Sequence, residues 1–207
     1  MKNKIIPSIV LTSICLIVAL LLGVVNMVTY DAILAGGKQR ALKACRETYK
    51  NSEGFVDLSD KEELAKYESL SDPSSLWRGD EALEKMKPEV YAATAGGYVI
   101  QLTAKGYKDG MVVACAIDRD GKIVGTKCRE SNETYTDVLK GLEGNNYAGM
   151  TYDTLVKFIP ASASTKSKTS EGYYNAIQAA FKIFEKLPKN DGFKIIVDEE
   201  GGTDEKQ

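Results

Sequence analysis

After Met-Lys-Asn-Lys, apolar residues dominate as far as position 30. Between Ile5 and Tyr30 there is no charged residue. Helical backbone rises 1.5 Å per residue, so about 20 such residues cross a hydrocarbon layer of about 30 Å. Backbone groups in lipid must pair within their own segment, which requires a helix. Pro7 stands near its start, where a missing N–H costs little. A cleaved signal peptide is the rival reading. However, the apolar stretch exceeds the usual 7–15 residues of a signal core, and no clear small-x-small site follows it. The expectation is an uncleaved anchor over residues 1–30.

Beyond the anchor the periodicity changes twice. Residues 31–50 place Ala32, Ile33, Leu34, Ala41, Leu42 and Ala44 among charged neighbours, a helical pattern that Gly36-Gly37 should loosen. Residues 51–88 are polar and mixed, with Ser71-Asp72-Pro73-Ser74-Ser75 as a loop and short helices at Glu62–Tyr67 and Asp80–Met86. From Glu89 the pattern turns to strands. Val90–Ala93 and Tyr98–Leu102 flank Ala95-Gly96-Gly97. Met111–Ile117 and Lys122–Lys127 flank Asp118-Arg119-Asp120-Gly121, a hairpin signal. A loop and short helix follow between Asn132 and Met150. A last helix begins near Thr169 or Ser170 as N-cap, with Tyr174, Ile177, Phe181 and Phe184 as its core stripe and Pro188 beyond its end. Phe193–Val197 reads as a final strand, and the acidic tail after Asp198 as disordered. The sum is an α+β protein, an antiparallel sheet with flanking helices behind one transmembrane helix. Its divisions are the anchor (1–30), a juxtamembrane helix and linker region (31–88), the sheet domain (89–197) and the tail (198–207).

Composition removes whole classes of chemistry. The chain of 207 residues carries a net charge of −2 and no histidine. Without a basic excess there is no footprint of a nucleic-acid binder. Without histidine there is no Ser-His-Asp triad, no histidine-ligated zinc or haem, and no imidazole proton shuttle. Cys15, Cys45, Cys115 and Cys128 form no C-x-x-C pair. Neither a catalytic residue nor a metal ligand set stands out, so chemistry here belongs to a cofactor or a partner. Cys115 and Cys128 flank the hairpin, but the partner strand puts Val124 to Thr126 opposite Cys115. Two free thiols are expected. Tyr173 and Tyr174 at this spacing place one ring in the core and one on a neighbour.

Several pieces of this chain, in order, resemble the G subunit of the Rnf electron-transport complex, which is related to the C subunit of the sodium-translocating NADH:quinone reductase. They are Val25-Asn26-Met27-Val28-Thr29 closing the anchor and Ala41-Leu42-Lys43 in the next helix. Lys105-Gly106-Tyr107-Lys108-Asp109-Gly110-Met111-Val112-Val113 and the hairpin Ile117 to Gly125 come next. Asn132-Glu133-Thr134 and the hydroxyl-rich run before the last helix complete the set. The resemblance implies an FMN-binding-type domain outside the cell membrane, a single-pass anchor with a cytoplasmic N-terminus, and multispan membrane subunits as partners. It implies a component of an ion-translocating ferredoxin:NAD oxidoreductase, a translocase, that is not catalytic alone.

In that family a threonine within Ser/Thr-Gly-Ala-Thr-x-Thr/Ser-Ser carries FMN as a phosphoester, made by a separate flavin transferase. Two registers fit here. Ser162-Ala163-Ser164-Thr165-Lys166-Ser167 keeps threonine at the flavin position, Thr165. Anchoring instead on Thr169-Ser170 and Asn175-Ala176-Ile177 puts Ser167 there. A helix N-terminus after this run would offer N–H donors to the phosphate. The family's flavin-contacting Glu-Thr-Pro-Gly-Leu-Gly reads Glu133-Thr134-Tyr135-Thr136-Asp137-Val138 here, without the proline and both glycines. The residues implied at the cofactor are therefore Ser164, Thr165, Ser167, Thr169, Ser170, Glu133 and Thr134. A subunit that keeps the fold and has lost the flavin is the alternative.

Overall fold

The computed structural model describes residues 2–133, 136–143, 146–157 and 168–196. It divides into two compact units, Met1–Ala41 and Leu42–Gln207. The first unit lies in helix α1, which runs from Lys2 to Thr48. Gly36 and Gly37 do not interrupt it. Every side chain described from Val10 to Tyr30 is exposed, Leu22 by 66% and Val28 by 73%. An apolar surface on all sides of a helix finds no stabilisation in water. Thr29 Oγ1 donates to its own helix at Val25 O, 2.7 Å, so its hydroxyl needs no outside partner. This helix is long and apolar enough to span a membrane.

The second unit is an α+β domain built on a five-stranded antiparallel meander. The strands are β1 (Phe55–Asp57), β2 (Glu89–Ala93), β3 (Tyr98–Ala104), β4 (Met111–Ile117) and β5 (Ile123–Glu130), each paired with the next. The turns follow from residue chemistry. At the β2–β3 turn Gly96 and Gly97 take φ of +94° and +79°, a region other residues enter at a cost. At the β4–β5 turn Asp118 Oδ1 accepts from the N–H groups of Asp120 and Lys122, both at 2.9 Å, and Gly121 sits at φ +74°. The Asp-Gly signal thus marks the hairpin it predicts. Register shifts lie between Val112 and Val113 and between Ala116 and Ile117. Cys115 therefore opposes Thr126, while Cys128 opposes Val113.

Both sheet faces are covered, so β4 is buried at every position. One face carries Val90, Ile100, Leu102, Met111, Val113 and Ile117 into the main core. Helix α6 (Lys168–Phe184) supplies Tyr173, Ala176, Ile177, Ala180 and Phe181 to the same core. The expected stripe needs correction: Ile177 and Phe181 are central, but Tyr173 replaces Tyr174 as the buried tyrosine. Tyr174 is only partly buried and donates to Leu155 O at 2.8 Å. The opposite face mixes buried Tyr91 and Val99 with small and polar residues. A Cβ on Gly125 would stand 2.6 Å from Thr48 O, so the end of α1 lies directly on β5. Gln101 Nε2 meets Cys45 Sγ at 3.1 Å, and Lys127 pairs with Glu47. Arg129 Nη1 donates to Glu89 and to Gln101, each at 2.5 Å, while its buried Nε has no hydrogen-bond partner among the described residues and lies 3.5 Å from the Glu130 carboxylate.

The remaining helices are short. They are α2 (Lys61–Leu64), α3 (Glu81–Lys85), α4 (Thr136–Leu142) and α5 (Tyr152–Lys157). Asp60 and Asp80 cap α2 and α3 by accepting from first-turn N–H groups. Three expectations are corrected. Strand β1 falls in the region read as mixed linker. Residues 191–196 form no strand; Phe193 N donates to Thr94 O instead. Helix α6 opens at Lys168, so Thr169 and Ser170 lie inside it rather than capping it.

Gly172 lets α6 touch the β3–β4 loop, because a Cβ there would stand 2.9 Å from the Lys105 carbonyl carbon. Backbone cannot yield as a flexible side chain does. The Gly172→Ala variant is expected to lose about 1–3 kcal/mol of stability, read as a lowered unfolding midpoint of the solubilised full chain. An unchanged midpoint would contradict this packing.

Candidate functional site

Three segments converge at the upstream end of α6. Strand β5 ends at Glu130, and the chain turns through Ser131, whose Oγ accepts from Glu133 N at 2.9 Å. This turn aims the Glu133 side chain inward, where the residue is 6% exposed. Its Oε2 accepts from Thr169 Oγ1 at 2.7 Å, and its Oε1 accepts from Lys108 N at 2.9 Å. Thr169 is fully buried. The loop of residues 105–110 folds back through a Gly106 N to Lys108 O bond of 3.2 Å. Asn132 Nδ2 donates to Asp109 O at 3.4 Å, a second tie between the same two segments.

Glycine makes the convergence possible. A Cβ on Gly106 would lie 3.1 Å from Glu133 Cδ and 3.2 Å from Thr169 Cα. Electrostatics favour the arrangement as well. The carboxylate accepts two hydrogen bonds beside the positive end of the α6 dipole. Ser170, at 2% exposed, buries an Oγ that has no hydrogen-bond partner among the described residues.

The seven residues expected at a cofactor divide accordingly. Glu133 and Thr169 are brought into direct contact, and Ser170 follows Thr169 in the first turn of α6. Ser164, Thr165, Ser167 and Thr134 lie outside the described residues. The first turn of the 17-residue helix α6 carries the Ser170 hydroxyl, buried and without a hydrogen-bond partner among the described residues. Both Glu133 oxygens are taken by protein donors. Two cavities lie elsewhere in the domain. One of about 530 Å³ is lined by Asn51, Glu53, Thr94, Phe193 and Lys194. One of about 200 Å³ is lined by Tyr98, Arg119, Phe184, Pro188 and Lys189. Among the described residues no His/Cys/Asp/Glu group could hold a metal ion.

Sequence reasoning missed Gly106, Lys108 and Gly172 as parts of this junction. A glycine inside a helical pattern, as at Gly172, is the signal for close approach that could have found it. It also missed the Arg129–Glu89–Gln101 cluster, which inward-facing charge on alternating strand positions encodes. Tyr173 stacks on Tyr147 with ring centroids 6.2 Å apart, and burial pushes its phenol well above the usual range. It is a core residue. Compared with models of protein families and with curated proteins, the chain matches none.

The cysteines are free, as expected. Burial raises the Cys115 thiol, and burial, reinforced by Glu143, pushes Cys128 up to about 12. Only the thiolate is nucleophilic. At pH 8, alkylation of Cys128 in the folded chain is therefore expected to run at least about tenfold slower than in denaturant. The sign for stability follows: both thiols are neutral below the ordinary value of 9.0, so folding suffers nothing there. As pH rises from 9.0 toward about 12, the unfolded chain ionises first and stability falls. Rapid labelling of Cys128 itself in the folded chain at pH 8, located by peptide mapping, would refute that slow alkylation.

Proposed function

We propose that this chain is the membrane-anchored, flavin-carrying subunit of an Rnf-type ion-translocating oxidoreductase. Its domain stands outside the cytoplasm, and FMN is held as a phosphoester on Thr165 or Ser167. One observation carries the reading: Glu133 bonds Thr169 across a separation of 36 residues. That bond joins the two segments whose motifs the resemblance assigns to one flavin. The apolar helix at the N-terminus and the antiparallel α+β domain behind it support the same reading. FMN supplies one- and two-electron redox chemistry when bound. The chain's own residues anchor it, present the hydroxyls, and offer the first turn of α6 to the phosphate. Lys2 and Lys4 favour a cytoplasmic N-terminus, Lys38, Arg40, Lys43 and Arg46 pull the other way, and the orientation proposed is the one the resemblance implies. Multispan membrane subunits and a flavin transferase are the partners this role requires.

A second reading has its own observation. Glu133 is satisfied by protein donors alone, and the loop already lies against α6 through Gly106 and Gly172. A subunit that kept the fold for assembly and carries no flavin would look the same there.

In-gel flavin fluorescence of the denatured protein, co-expressed with a flavin transferase, separates the two. A fluorescent band at the mass of the chain is expected, lost in either Thr165→Ala or Ser167→Ala. A dark band from wild type favours the assembly role. The anchor has an independent check. Sodium carbonate washing of vesicles should leave the chain in the pellet, and its release would remove the membrane assignment.

A further inference from the structure

The chain beyond helix α6 is tied down at both ends and left open in the middle. Upstream, Asn190 Nδ2 donates to Ala93 O at 3.1 Å and to Gly97 O at 2.7 Å, and Gly97 N donates back to Asn190 O at 2.9 Å. Gly192, at φ +107°, brings the backbone against the β2–β3 turn, where a Cβ would stand 2.8 Å from Thr94 O. Phe193 N then donates to Thr94 O at 3.1 Å. Downstream, Ile196 N donates to Tyr67 Oη at 3.2 Å, and the Tyr67 and Phe193 rings meet edge to face at 5.1 Å. Ile195 lies over Gly54, where a Cβ would stand 2.9 Å from Ile195 Cγ1. Phe193 and Ile195, two residues apart, thus both turn toward the domain, which is the alternation of an extended chain.

Between the ties, the main-chain N–H and C=O groups of Lys194 and Ile195 have no hydrogen-bond partner among the described residues. The cavity of about 530 Å³ opens beside them, within the range of about 300–1,000 Å³ usual for ligand clefts. Asn51, Glu53 and Lys194 also line it, all exposed, and their side chains have no hydrogen bond or ion pair among the described residues. The rim therefore offers main-chain donors and acceptors together, one amide, one carboxylate and one ammonium. A polyanion would meet the carboxylate as well as the lysine. A peptide carries the complement, with donors and acceptors in the same alternation.

We propose that this groove takes an extended peptide segment of a partner protein, which adds along Lys194 and Ile195 as a strand adds to a sheet edge. Main-chain bonds supply the affinity, and Glu53 and Lys194 select a basic and an acidic side chain in the incoming segment. The receiving segment is already fixed at Asn190, Phe193 and Ile196, so little ordering is left to oppose binding. The proposal stands independently of any flavin.

The probe is a fluorescein-labelled peptide of about six residues, capped at both ends, in which valine alternates with lysine and glutamate. Fluorescence polarisation on the full chain in detergent should saturate below about 1 mM. Two further probes carry N-methyl groups on alternate amides, in the two possible phases. One should bind at least about tenfold more weakly than the parent and the other within about threefold, because a strand added at one edge uses only every second amide. The double variant Asn51→Ala with Glu53→Lys, both positions exposed, should keep the unfolding midpoint and bind the parent peptide about tenfold more weakly. Absence of saturation, equal binding of the two methylated probes, or wild-type affinity in the double variant overturns the proposal. Self-association of the full chain that the double variant abolishes also overturns it, since the edge would then belong to a second copy.

Discussion

Helix α6 lies on the sheet as deeply as it does because no side chain stands between its first turns and the β3–β4 loop. Gly172 faces the Lys105 carbonyl, and Gly106 faces Glu133 and Thr169. With that contact made, Tyr173, Ala176, Ile177 and Ala180 reach the strands and close the main core. Buried area of this kind is the dominant favourable term in a domain this size. A helix held a few ångströms further out would leave the same residues against voids. The polar clasp of Glu133 depends on this approach and reinforces it, since an unpaired carboxylate at that depth would be costly.

The second sheet face obeys a different rule. Its side chains are small where the end of α1 lies, at Ala114, Ala116 and Gly125, and polar where Arg129 reaches Glu89 and Gln101. An ion pair that is half in solvent, as this one is on its Glu89 side, contributes little net stability. Its value lies in register. A one-residue slip of β5 would turn Arg129 toward the apolar core and strand Glu89 without its partner. Gln101 extends the same network to Cys45 and so ties the final turns of α1 to β3. The face that looks less stable is thus the one that specifies alignment.

Those contrasts explain what could be read from the chain. The long apolar helix, the Asp-Gly hairpin and four of the strands were legible, because each is a local signal: a long apolar run, a turn pair, an alternation. Strand β1 was not, because three residues are too few for a period and its burial depends on β2. Helix α6 was legible as a helix but not in its exact face. Tyr173 and Tyr174 are both aromatic, and only tertiary packing chooses the buried one. The candidate site was half legible. Glu133 and Thr169 stood out through resemblance, but their contact is between residues far apart in sequence, and single-sequence periodicity holds no information about such pairs. The glycines were visible as letters, and what they clear space for was not.

The electrostatics of the α6 N-terminus limit what else it holds. A helix end carries roughly half a positive charge. Here the carboxylate of Glu133, already bonded to Thr169, faces it. A second anion about 6 Å from that carboxylate meets a repulsion of about 3 kcal/mol at an effective dielectric of 20, more than the dipole returns. A phosphate near this turn must therefore draw on further donors. Lys168 opens the helix, Lys166 precedes it in sequence, and Ser170 keeps a hydroxyl unspent. This stretch without its lysines would leave Glu133 as the stronger claimant to the helix end.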